Sequence, residues 1–122
     1  MKYLIICYLL AFSITSCYWD NEERLYPQLS NNCDTTNITY SGSVAPIINS
    51  SCNTCHNKQN ANVLGSGIVL DDYNSLKARA NTVLGSINHQ SGFSPMPKNA
   101  NKLISCQITI ITKWVNAGMP NN

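Results

Sequence analysis

The chain has 122 residues, of which eight are Lys or Arg and six Asp or Glu, and only 11% carry charge. No basic stretch occurs anywhere along it, which excludes an electrostatic nucleic-acid binder; Asn, Ser and Thr supply the polar surface instead. A chain of this length builds one small domain, and the limited area such a domain buries calls for a staple.

Met1-Lys2 is a short basic start, and Tyr3 to Ile14 is an apolar run without charge. That run is shorter than the roughly 20 residues a membrane span needs and fits the hydrophobic region of an export signal. It ends in Ile14-Thr15-Ser16-Cys17, which resembles the lipobox of bacterial lipoproteins. The resemblance implies that residues 1–16 are a signal peptide lost on export and that Cys17 is acylated as the first mature residue, anchoring the chain to a membrane. A plain secretory signal that leaves Cys17 an ordinary thiol is the alternative. Either way the protein is expected outside the cytoplasm, on the periplasmic side of the cell envelope, with an outer-membrane or cell-surface anchor both compatible.

Residues 17–35 read as a flexible linker behind that anchor. Asp20, Glu22 and Glu23 are followed by Pro27 and a polar Ser30-Asn31-Asn32 stretch with no periodicity. Residues 36–120 form the expected domain. Ser43 is the expected N-cap of a short helix, with Val44, Ile47 and Ile48 at helical spacing and Pro46 in the tolerated first turn.

This helix leads into Cys52-Asn53-Thr54-Cys55-His56, the Cys-x-x-Cys-His pattern that attaches c-type haem. Two thiols three positions apart can each form a thioether with a haem vinyl group, and the next residue places an imidazole under the iron. A bare Cys-x-x-Cys also serves zinc sites and thiol–disulfide enzymes. The His that follows directly, in an exported chain, favours haem. A haem-free lipoprotein holding zinc through Cys52, Cys55, His56 and His89 is the rival. Cys7 leaves with the signal, so Cys33 and Cys106 remain. In an oxidising compartment they are candidates for one disulfide, worth roughly 4 kcal/mol for so long a loop. The alternative is two unpaired thiols.

Residues 57–67 read as a loop in which Gly65 and Gly67 allow close backbone turns. Asp71 or Asp72 caps a helix to about Ala80 with Tyr73, Leu76 and Ala80 on one face, and Val83, Leu84 and Ile87 continue it as helix or turn. The last helix is expected from Ser105, as its cap, to a stop at Gly118 and Pro120. Ile104, Ile108, Ile111 and Val115 recur at helical spacing, and Ile110 and Trp114 widen the apolar arc enough to predict burial on more than one side.

For a second iron ligand the candidates are Met96, His89 and Met119. Met96 lies in Ser94-Pro95-Met96-Pro97-Lys98, where flanking prolines predict a stiff, extended loop that presents the thioether. His89 is the alternative ligand, or a solvated loop residue; an open site is the third option. Met119, just beyond the last helix, reads as packing or surface.

From about Tyr40 to Pro120 the chain resembles a single-haem c-type cytochrome domain of the class I kind. The resemblance rests on Val44-Ala45-Pro46-Ile47-Ile48 before the Cys52–His56 motif, on Met96-Pro97, and on Lys113-Trp114-Val115-Asn116-Ala117-Gly118-Met119-Pro120. It implies an all-α fold with the first and last helices packed around one covalent haem c. In it Cys52 and Cys55 attach the group, and His56 and Met96 ligate the iron. With both axial positions filled such a protein passes single electrons and is not an enzyme; its partners are an oxidase, a reductase or another cytochrome. A peroxidase-like enzyme or sensor with a displaceable sixth ligand is the other class. Lys58, Lys98 and Lys102 either steer acidic partners or are three unrelated solvated lysines.

Overall fold

Pro46 has no N–H to give the carbonyl four residues back, and its ring crowds that carbonyl. The chain just upstream is wound wide in response. Tyr40–Val44 is a π-helical turn in which the Val44 amide donates to the Thr39 carbonyl (3.2 Å) and the Ala45 amide to that of Tyr40. In the computed structural model, which describes residues 33–122, this turn opens a run of five α-helices. They are α1 (Ala45–Ser51), α2 (Asn53–His56), α3 (Tyr73–Ala78), α4 (Ala80–Ile87) and α5 (Ser105–Asn116). Among the described residues there is no strand, so the expected all-α class holds. The expectations for the signal peptide 1–16, Cys17 and residues 17–32 lie outside the described residues.

The cap of the first helical run differs from the sequence reading. Thr39, with extended backbone, accepts from the Gly42 amide through its hydroxyl (3.0 Å), and Ser43 lies inside the turn, where its own hydroxyl accepts from the Thr39 amide (3.3 Å). The wide turn moves the start four residues upstream of Ser43. Asp72 caps α3 as expected, accepting from the Ser75 amide at 2.9 Å. The expected single helix to Ala80 is divided at Arg79, and α4 carries the chain on to Ile87. In α5, Ile104 occupies the cap position without a side-chain bond, and Ser105 is already the first helical residue.

Helix α5 also buries less than its composition predicts. Ile111 and Trp114 are fully buried; Ile108, Ile110 and Val115 are half-buried, and Thr109, Lys113 and Asn116 face solvent. Its main packing partners are the Tyr40–Val44 turn and α4. Gly118 ends the helix at φ +86°, a conformation that costs a residue with a Cβ. Gly118 N–H then bonds Val115 O (3.0 Å) and Met119 N–H bonds Trp114 O (3.0 Å), a Schellman closure. Trp114 Nε1 donates to Pro120 O (2.9 Å) and Tyr73 Oη to Met119 O (2.8 Å), which packs Met119 against the core.

The core joins Val44, Ile47 and Ile48 to Leu70, Leu76, Val83, Ile87, Ile111 and Trp114. Tyr40 and Tyr73 meet edge to face (5.1 Å between centroids) beside Trp114. Truncating a buried Trp of this kind to Ala typically costs about 3–5 kcal/mol. Cys33–Asn122 form one compact unit. Its first residues, expected as linker, are held to α5: Cys33 is disulfide-bonded to Cys106 across a separation of 73 residues, and Lys113 Nζ donates to Thr35 Oγ1 (2.6 Å).

Candidate functional site

Helix α1 delivers the chain to Cys52, whose amide still bonds Ile48 O (2.9 Å). Its backbone leaves helical geometry there (φ −121°), and the single turn α2 follows, closed by the Cys55 and His56 amides on the Cys52 carbonyl at 3.1 and 3.0 Å. This break and turn bring Cys52, Cys55 and His56 to the wall of one cleft of about 400 Å³, within the range of small-molecule sites. Its apolar lining comes from Leu64, Ile68, Leu70, Val83, Ile87 and Leu103.

His56 is buried, and its Nδ1 lies 2.9 Å from the Ile68 carbonyl. A carbonyl can only accept, so Nδ1 carries a proton, and in the neutral ring the lone pair sits on Nε2. Nε2 has no protein partner among the described residues, so this fixed tautomer leaves a nitrogen free for a metal. The 57–70 loop builds the arrangement. Ala61 O accepts from the Gly65 and Gly67 amides (2.9 and 2.8 Å), and Leu70 N–H returns to His56 O (2.8 Å). Gly65 lies against the ring: a Cβ there would meet Cys55 O at 2.6 Å and His56 Nδ1 at 2.9 Å.

Cys52 and Cys55 are free thiols, and burial pushes that of Cys52 up to about 11. Thiol–disulfide exchange runs through the thiolate, so a protonated, desolvated thiol is a poor exchange nucleophile. Among the described residues no three His, Cys, Asp or Glu side chains converge as a metal-ion cluster. The wall presents two thiols and one imidazole, and His89, the fourth donor of the zinc alternative, does not line this cleft.

Met96 lines the same cleft, half-buried. Its loop bends at Met96 and Pro97, with a cis bond between them, and does not run extended as the flanking prolines predict. His89 is placed elsewhere: it is exposed, outside the cleft, and its Nε2 donates to the Met96 carbonyl (3.0 Å). Met119 is held in the core, on neither wall. Of the three lysines, only Lys98 reaches the cleft. Lys58 pairs with Asp72 (3.6 Å) and Asp71 (4.0 Å), and Lys102 donates to Asn88 O (3.0 Å).

No protein-family model, curated protein or solved structure matches this chain.

Two contributors escaped the sequence reading. Arg79, at the junction of α3 and α4, lines the cleft; together with Lys98 it gives a lining with two cations and no carboxylate. Phe93, the aromatic of the 88–104 loop, lies against Gly85 of α4, where a Cβ would meet the ring at 2.5 Å. Arg79 stands among ordinary helix residues and gives no signal in sequence. Phe93 carried one, as a lone aromatic three residues before Met96.

Proposed function

We propose that this protein is a single-haem c-type cytochrome, tethered to the cell envelope through Cys17, that passes single electrons between redox partner proteins such as an oxidase, a reductase or another cytochrome. The observation that carries this reading is the His56 ring, held by Ile68 O so that Nε2 is free beside two unpaired thiols in an apolar cleft.

When bound, haem c supplies a one-electron ferric/ferrous couple. The chain's own residues hold and insulate it. Cys52 and Cys55 would form the thioether links, and burial keeps the Cys52 thiol protonated. His56 would be the proximal ligand, its ring oriented by the Nδ1 bond to Ile68 O. Met96 would be the second ligand; a soft, neutral thioether favours the reduced state. Arg79 and Lys98 match the two acid substituents of the group and offset their charge. Leu70, Val83, Ile87 and Leu103 exclude water, which holds the couple in low dielectric. With His56 and Met96 both holding the iron, no place would be left on it for a substrate, and the protein would be a carrier and not an enzyme.

The test is mass spectrometry and a redox-difference spectrum on full-length protein matured with haem-attachment machinery. One covalent haem and a Met–iron charge-transfer band that disappears in Met96→Ala are the expected results. A chain with no haem mass overturns the reading. Haem without a Met band, and without any response to Met96→Ala, transfers the protein to the open-site enzyme or sensor class.

A further inference from the structure

We infer that His89 is a positioning residue that latches the Met96 loop onto the C-terminal end of α4, and so sets how readily Met96 leaves the cleft. The inference rests on Met96 being the second ligand. Met96 is gripped at both backbone polar groups by the same short segment. Its amide donates to Ser86 O (3.1 Å), and its carbonyl accepts from His89 Nε2 (3.0 Å). Ser86 O also accepts from the His89 amide (3.2 Å), so His89, Ser86 and Met96 close a ring of hydrogen bonds between α4 and the loop. Neighbouring bonds keep the base of the ring in place: the Gln90 amide donates to Gly85 O (2.9 Å) and Lys102 Nζ to Asn88 O (3.0 Å).

The backbone of His89 supports a role for the side chain. It sits at φ +55°, in the left-handed region that glycine occupies freely and residues with a Cβ occupy less readily. If turn geometry were all this position supplied, glycine would serve it better. Because Nε2–H is engaged with a carbonyl and the side chain lies outside the cleft, His89 acts on the thioether through Met96's own backbone, as a donor.

Two variants separate latch from turn. His89→Gly relieves the backbone and deletes the donor, whereas His89→Gln keeps an amide donor. The readouts, on the full-length haem-loaded protein, are the rate at which added imidazole displaces Met96, hydrogen exchange at the Met96 amide, and the thermal midpoint. His89→Gly is expected to speed both displacement and exchange about fivefold, the effect of one lost hydrogen bond, without lowering the midpoint. His89→Gln restores most of the wild-type rate. Wild-type displacement and exchange in His89→Gly, alongside a fast Met96→Ala control, overturn the latch and leave the ligand assignment standing. A Met96→Ala protein that binds imidazole at the wild-type rate overturns the ligand assignment and the latch with it.

Discussion

Replacing Gly65 by Ala asks whether the cleft wall is as tight as its geometry states. The added Cβ falls 2.6 Å from Cys55 O, 2.9 Å from His56 Nδ1 and 3.1 Å from Ala61 Cα. Two of these neighbours are backbone, so the ring is the part that gives way, and in moving it loses its bond to Ile68 O. Overpacking of this kind costs about 1–3 kcal/mol and the lost hydrogen bond about 0.5–1.5 kcal/mol, so a total of roughly 2–4 kcal/mol is expected. For a domain of this size that lowers the melting temperature by roughly 10–25 °C. Gly67→Ala is the control, since Gly67 needs its positive φ (+76°) but has only Asn62 Oδ1 near, at 4.0 Å; it loses about 1 kcal/mol and leaves the ring alone. The assay is thermal unfolding by circular dichroism, with the nitrogen NMR signals of the His56 ring as the local report. If Gly65→Ala melts with Gly67→Ala and the His56 signals match wild type, the close-packed wall is wrong.

Three further outcomes are expected. Cys33→Ser, or reduction of the wild type, removes a cross-link over 73 residues and lowers stability by about 4 kcal/mol; equal melting with and without reductant would contradict the bond's role. The Ser75 amide and hydroxyl hold the Asp72 carboxyl below its ordinary 3.8, so its contribution is present above that value and is lost as pH falls through the lowered one. Asp72→Asn therefore melts below wild type near neutrality, and the two curves converge in acid. On the proposed haem reading, Arg79→Gln removes a cation that disfavours the oxidised group and so lowers the reduction potential by on the order of tens of millivolts, read by redox titration; a rise or no change would remove Arg79 from the site.

The helical class, the Asp72 cap, the Gly118 stop and the Cys33–Cys106 pair were legible because each is written locally or by counting. Glycine needs its φ, aspartate accepts from an amide three residues on, and two thiols were left over. What failed was non-local or turned on a missing group. The start at Thr39 depends on a donor that Pro46 lacks, and no periodicity records an absent N–H. The half-exposed face of α5 depends on which neighbours arrive: Trp114 and Ile111 meet the core, while Cys106 and Lys113 meet only the short 33–35 segment. At the site, Cys52, Cys55 and His56 share one short stretch and could be read together. The Ile68 carbonyl, Arg79 and the His89 grip on Met96 come together only through turns of the loops that carry them.

Gly85 sits inside α4, where glycine weakens a helix by about 1 kcal/mol relative to alanine. The chain tolerates that weakness and lays the Phe93 ring where a methyl group would be. The aperture of the cleft thus has a single-atom throttle. A side chain at position 85 meets the ring within 2.6 Å and forces it to shift, so a residue outside the lining sets the place of one within it. Wall shape and ligation are set by different codons, and the first can drift or be engineered while the second is left intact.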